Sequence, residues 1–187
     1  MNELNKFPSS FVSTQFEQYL SQNEIQTISE SLAHTLNQKY NGEELVIIGV
    51  LKGSIVFISD LIRHLKGIKV YVDFVKISAV GRTKEEDGTI ILHKDIKTNI
   101  HGKNVLIVEE IIDTGRALFF LKERLKQSSP RSIEVLTLLD KPYQRAVPLK
   151  IDYIGKKIED KFIIGYGLDI DEYGRNLSEV YFLKYPN

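Results

Sequence analysis

Apolar positions along the chain follow two alternating periods, and together they predict a chain of strands and helices. Between Ser21 and Gly42 they recur as Ile25, Ile28, Leu32 and Leu36, the three-to-four spacing of a helix with one buried stripe. Ser21 and Glu24 form a capping box at its start, and Gly42 stands just past its end. LVIIGV, residues 45–50, is apolar on both faces, the pattern of a central strand in a covered parallel sheet. The short loop Leu51-Lys52-Gly53 leads into a second helix from about Ser54, with Ile55, Ile58, Ile62 and Leu65 as its stripe and Leu61 beside it. KVYVDFVKI (69–77) reads as a strand, and TIILH (89–93) as one strand of a hairpin flanking the polar stretch 78–88. NVLIVEE (104–110) is a second fully apolar strand, ending in two acids. A helix then runs from the turn at Gly115 to about Gln127, and SIEVLTLL (132–139) is a further strand. From about residue 150 only short strand-like runs remain, IDYI, KFIIGY and EVYFL, while residues 1–20 read as irregular.

Strands alternating with helices predict an α/β fold, a parallel twisted sheet flanked by helices on both faces. The β-rich tail is expected to fold as a small hood over one end. The whole chain, 1–187, reads as a single domain, with the hood formed by about 1–20 and 150–187. Its length allows a sizeable core. Zero formal net charge leaves no overall basic footprint for nucleic acid. The absence of cysteine removes disulfides and thiolate metal sites. No apolar run suggests a signal peptide or a membrane span, so a cytoplasmic location is expected. His34, His64, His93 and His101 lack metal-ligand spacing and read as structural or surface residues.

In an open α/β sheet, ligands bind beyond the carboxyl ends of the strands. Two loops occupy such positions. In Val108-Glu109-Glu110-Ile111-Ile112-Asp113-Thr114-Gly115-Arg116, three carboxylates follow a buried strand and Thr-Gly opens a helix. The helix start suits a phosphate, and the acids suit sugar hydroxyls, magnesium or proton transfer. By spacing alone, the acids could equally be solubilising and Thr114-Gly115 only a cap. Leu51-Lys52-Gly53-Ser54 exposes backbone N–H groups beside a cation, a pattern that many ordinary turns share.

The sequence resembles the hypoxanthine-guanine phosphoribosyltransferases. VLIVEEIIDTGRAL resembles that family's phosphoribosyl-pyrophosphate motif, and LKGS its pyrophosphate loop. DFVKIS (73–78) is similar to the approach to its mobile lid, LLDKP (138–142) to its purine-contacting lysine segment, and KFIIGYGLDIDEYGRNL (161–177) to its base-binding tail. The likeness runs in register from about residue 45 to 183. It implies the type I phosphoribosyltransferase fold and transfer of a 5-phosphoribosyl group from phosphoribosyl pyrophosphate to hypoxanthine or guanine in purine salvage. By resemblance, Asp113 is the general acid/base at the purine's imidazole nitrogen. Glu109 and Glu110 hold the ribose hydroxyls and magnesium (Mg2+). Asp113, Thr114, Gly115, Arg116 and Ala117 cradle the 5′-phosphate. Lys52, Gly53 and Arg175 meet pyrophosphate, with a cis Leu51–Lys52 peptide as in relatives. Lys141 donates to the 6-oxo group, Phe162 stacks on the base, Ile163 offers backbone groups to its edge, and Asp169 binds a second magnesium beside it. The partners implied are these small-molecule substrates and a second or further copies in a homodimer or homotetramer, with no nucleic acid or membrane.

Three positions depart from the family. Glu109-Glu110 stands where Glu-Asp is usual, shifting a carboxylate outward by one methylene. Ala79-Val80 replaces Ser-Tyr in the lid, and Ala117 replaces a hydroxyl residue. Phe162, Lys141 and Arg175 taken singly read as core, turn and surface residues. An active transferase is therefore set beside a catalytically weakened nucleotide-binding homologue with a regulatory role. Asp113, Asp169 and Arg175 favour the enzyme, and Ala79-Val80 the binder.

Overall fold

The computed structural model describes residues 16–80 and 89–183, with backbone alone at Ala79 and Val80. Residues 1–15 of the expected hood and 81–88 of the expected lid lie outside the described residues.

The chain order is β1 (Phe16–Leu20), α1 (Gln22–Tyr40), β2 (Glu44–Leu51), α2 (Ser54–Arg63), β3 (Lys69–Val80), β4 (Thr89–Lys94), β5 (Asn104–Ile112), α3 (Arg116–Lys126), β6 (Ser132–Asp140), β7 (Tyr153–Lys157), β8 (Ile163–Ile164) and β9 (Val180–Leu183). Six strands form the main sheet in the order β4-β3-β2-β5-β6-β7, parallel throughout except for the β3–β4 hairpin. The apolar runs of β2 and β5 are central because neither of their faces meets water, and Leu45 to Ile48 and Val105 to Val108 are fully buried.

Side chains of β2, β5 and β6 alternate between two cores. On one face Leu45, Ile47, Leu106, Val108 and Leu136 pack with Leu32 and Leu36 of α1 and Phe57, Ile58 and Leu61 of α2. On the other, Val46, Ile48, Val105, Ile107 and Val135 pack with Leu118, Leu121 and Leu125 of α3. Each fully buried aliphatic chain stabilises the fold by roughly 1.5–3 kcal/mol relative to exposure. The Ser21–Glu24 capping box is present at the start of α1, with Glu24 N bonded to Ser21 Oγ at 3.3 Å and Ser21 N to Glu24 Oε2 at 2.9 Å.

Three features differ from the sequence expectations. The buried face of α2 is Ser54, Phe57, Ile58 and Leu61, while Ile55 is 50% exposed and Leu65 lies past the helix end. The segment SIVFISDLI is apolar nearly all round, so its periodicity does not fix which stripe turns inward. Residues 16–20, expected to be irregular, form β1 and pair with β9. That strand exists only through a partner from the far end of the chain. Lastly, the IDYI region supplies β7, which extends the main sheet beside β6. The small sheet, ordered β1-β9-β8, therefore takes only 163–164 and 180–183 from the tail. Leu20, Ile163 and Val180 of this sheet join the α1/α2 core, which seats it over the carboxyl ends of β2, β5 and β6.

Candidate active site

The loop after β5 carries the phosphate-type geometry. Gly115 adopts φ +78°, in the left-handed region that favours glycine, and turns the chain into α3. No side chain caps this helix, so its first N–H groups keep their capacity for an anion. Arg145 braces the loop from behind: Nη1 donates to the Asp113 carbonyl at 2.7 Å and Nη2 pairs with buried Asp140. Ala146 N also donates to the Thr114 carbonyl at 3.0 Å. These bonds hold the Asp113 backbone, while the Asp113 side chain keeps a buried Oδ1 with no hydrogen-bond partner. Arg116 and Ala117 are half-buried in the first turn of α3.

The two acids that end β5 have different settings. Glu110 is 6% exposed, and its carboxyl lies against Gly53 at the start of α2. A Cβ built on Gly53 would stand 1.3 Å from Glu110 Oε1, so glycine alone lets the carboxyl lodge there. The longer side chain thus runs beneath the 51–53 loop. Glu110 Oε2 is buried without a partner. Burial raises this carboxyl to about 8. Its own backbone N–H and the Arg175 charge pull the other way, and the Asp169 charge adds to the rise. Burial, and then the Glu110 charge, also push the half-buried Glu109 carboxyl well above the ordinary range.

The hood turn closes on the same loop. The Leu51–Lys52 peptide is cis, as the resemblance implies. Gly167 packs on the Gly53 carbonyl so closely that a Cβ would come within 2.2 Å of it. Arg175 anchors this turn: Nη1 donates to the Gly167 carbonyl at 2.9 Å, while Nη2 meets Asp169 Oδ1 at 2.8 Å and Glu172 Oε2 at 2.9 Å. Lys52 Nζ reaches Glu172 Oε1 at 2.8 Å. Lys52, Gly53, Glu110, Asp169 and Arg175, spread along the sequence, are thereby brought together.

The base-side residues assemble on the other flank of Asp113. Lys141 N donates to the Ile112 carbonyl at 2.9 Å, which sets the lysine beside the residue preceding Asp113. Its ammonium is buried, bonding the Lys161 carbonyl at 2.8 Å and Asp160 at 3.3 Å. An ammonium has three donors, so one is left for a further acceptor. Phe162 is 39% exposed beside it. Ile163 pairs with Phe182, and Leu183 N bonds the Phe162 carbonyl at 3.0 Å. Antiparallel alternation then turns the N–H and C=O of Ile163 away from β9, toward the open edge of the small sheet.

Among the described residues, no three acids or imidazoles come together as a complete protein-only metal set. Glu109 and Glu110 on β5 and Asp169 in the hood turn offer hard carboxylate oxygens from two elements, with Asp169 near enough to Glu110 for its charge to act on it. That suits magnesium, which takes one or two carboxylates and completes its shell with water and substrate phosphates. Two residues overlooked by the sequence reading bear on the site, Glu172 and Arg145. Glu172 lies inside the 161–177 tail segment and Arg145 three residues past LLDKP, and the partners of both are visible only in three dimensions.

The pattern defining the phosphoribosyl transferase domain matches residues 15–171. The hypoxanthine-guanine phosphoribosyltransferase of Staphylococcus aureus is 40% identical over 168 residues, 90% of this chain and 93% of that one. This chain belongs to the hypoxanthine-guanine phosphoribosyltransferase family. Within that family, the Aquifex aeolicus member is 37% identical over 166 residues, 88% of this chain and 93% of that one. A crystal structure of a hypoxanthine-guanine phosphoribosyltransferase from Bacillus anthracis superposes with a TM-score of 0.86 at 43% identity, covering 90% of this chain and 98% of that one. The mostly parallel sheet and flanking helices are therefore the type I phosphoribosyltransferase fold.

Proposed function

We propose that the chain transfers the 5-phosphoribosyl group of phosphoribosyl pyrophosphate to a 6-oxopurine. The ribose C1–oxygen bond to pyrophosphate breaks, a C1–nitrogen bond to the base forms, and the proton on that nitrogen passes to Asp113. The observation that carries this reading is the Lys141–Ile112 backbone bond, which joins the base-side lysine to the loop bearing Asp113, whose buried Oδ1 has no hydrogen-bond partner. The uncapped start of α3, from Thr114 to Ala117, receives the 5′-phosphate. Lys52, Gly53 and Arg175 receive the pyrophosphate. Phe162 offers its exposed face to the base, Ile163 its open backbone edge, and Lys141 its remaining donor to the 6-oxo oxygen. Glu109, Glu110 and Asp169 are the residues that would hold magnesium. When bound, magnesium offsets the charge of the leaving diphosphate.

The same reading takes the protein as cytoplasmic and as a dimer or tetramer of this chain. Among the described residues no helix is long and apolar enough to cross a membrane. A steady-state assay of hypoxanthine, guanine and adenine with phosphoribosyl pyrophosphate and magnesium tests the activity. Both oxopurines should be converted to their 5′-monophosphates. Adenine should be poor, because its amino group leaves the buried Lys141 donor facing another donor. Faster turnover of adenine than of both oxopurines would sink the assignment.

A further inference from the structure

Glu172 takes no part in the proposed reaction, yet it holds both cations assigned to pyrophosphate. Its Oε1 accepts from Lys52 Nζ at 2.8 Å and its Oε2 from Arg175 Nη2 at 2.9 Å. Lys52 comes from the loop after β2 and Arg175 from the hood, so this one carboxylate bridges two separate elements. Its backbone is fixed in an unusual form: Asp171 and Glu172 adopt φ +49° and +70°, and Glu172 N donates to Asp169 Oδ2 at 2.9 Å. Consecutive non-glycine residues in the left-handed region persist only where their surroundings hold them.

Arg175 limits what can share this seat. Its Nη2 lies 2.8 Å from Asp169 Oδ1 and 2.9 Å from Glu172 Oε2, so two acids crowd that nitrogen, while the buried Nε has no hydrogen-bond partner. A ligand oxygen reaches that nitrogen only by replacing one of the two acids. Asp169 is 30% exposed and Glu172 62% exposed, so Glu172 is the one an incoming anion meets first.

We propose that Glu172 is a positioning residue that stands in for pyrophosphate, bridging Lys52 and Arg175 and competing with the diphosphate for them. This rests on the assignment of those two cations to pyrophosphate. Binding is then an exchange of one anion for another. A tethered carboxylate sets a threshold that a diphosphate, with oxygens enough for both cations, exceeds more readily than a single orthophosphate. After the transfer, the same carboxylate recaptures the cations and favours release of pyrophosphate.

The test is calorimetric titration of wild type, Glu172→Gln and Glu172→Asn with magnesium pyrophosphate and with orthophosphate. It is accompanied by thermal denaturation and by inhibition of nucleotide formation by pyrophosphate. Asparagine tolerates the left-handed backbone, so Glu172→Asn guards against a folding defect in the glutamine variant. Exposed ion pairs are individually weak, so losing both bridges should tighten pyrophosphate binding on the order of three- to ten-fold. The inhibition constant for pyrophosphate should fall by a similar factor, and the preference for pyrophosphate over orthophosphate should narrow. A merely structural role predicts the opposite sign, weaker binding in both variants. If wild type forms nucleotide and binds pyrophosphate, and both folded variants bind it equally or more weakly, the stand-in role is wrong while the reaction assignment survives. If wild type binds no pyrophosphate and forms no nucleotide, both readings fall together.

Discussion

Replacing Glu110 by glutamine should change how stability depends on pH. The Glu110 carboxyl is 6% exposed, has one oxygen without a partner, and is raised by burial from an ordinary 4.5 to about 8. The sign follows from linkage: an acid with a raised folded-state value contributes stability that is fully present below about 4.5 and is lost as pH rises through about 8. Each unit of separation corresponds to about 1.4 kcal/mol, so the ceiling is on the order of 5 kcal/mol. Relaxation and water entry around the charged form reduce this, and a loss of about 2–4 kcal/mol is expected between pH 5 and 8.5. Glutamine has the same shape and no charge to bury, so it escapes that loss. Urea denaturation of both proteins, followed by circular dichroism since the chain has no tryptophan, measures it. A chelator keeps divalent ions from neutralising the site. The stability of Glu110→Gln relative to wild type should grow by about 2–4 kcal/mol from pH 5 to 8.5, a large share of an ordinary domain's 5–15 kcal/mol. A difference that stays constant across this range would refute the claim that Glu110 is held in a setting hostile to its charge.

Asp113→Asn should lower turnover by about 10²–10⁴-fold, since the amide keeps the shape but takes no proton, while affinity for the product nucleotide stays within a few-fold; unchanged turnover removes Asp113 from the mechanism. Gly53→Ala places a methyl group 1.3 Å from Glu110 Oε1, so it should destabilise the fold although the Gly53 backbone, at φ −63°, suits alanine. Adding Glu110→Ala should recover most of the loss, and strict additivity of the two changes in denaturation would show that their contact is not the cause.

The parts of this architecture legible in the sequence are those whose signals are local. LVIIGV and NVLIVEE read as central strands because unbroken apolar runs bounded by turns have few other uses. Ser21 and Glu24 mark a helix start because both halves of a capping box lie within one turn. The resemblance supplies the strand-acid-acid loop and the tail, and the described residues bring those segments to one end of the sheet. What is not legible depends on distant approach. The FEQYL strand needs β9, and the seat of the Glu110 carboxyl needs the missing side chain of Gly53. Glu172 lies in the recognised tail, but nothing near it in sequence names Lys52 as its partner. Arg145 likewise gives no local sign that it will grip the Asp113 carbonyl.

The pairing of charges around the site explains how so many ionic groups share a small volume. Lys52 is matched by Glu172, Arg175 by Asp169 and Glu172, Lys141 by Asp160, and Arg145 by Asp140. An unpaired cation in the buried members of this set would carry a desolvation penalty of several kcal/mol, which the internal acids offset. The same acids oppose the anions that the site is built to receive. The two demands are separated by position. Asp140 is 4% exposed and remains with Arg145, whose task is to brace the loop. Glu172 is 62% exposed, open to the exchange proposed above. At the start of α3, assigned above to the 5′-phosphate, the conflict does not arise, since its uncapped N–H donors are neutral and need no counter-acid. On the proposed assignment, the monophosphate of the sugar donor meets neutral backbone donors and needs no acid expelled, whereas its diphosphate exchanges with Glu172 for Lys52 and Arg175.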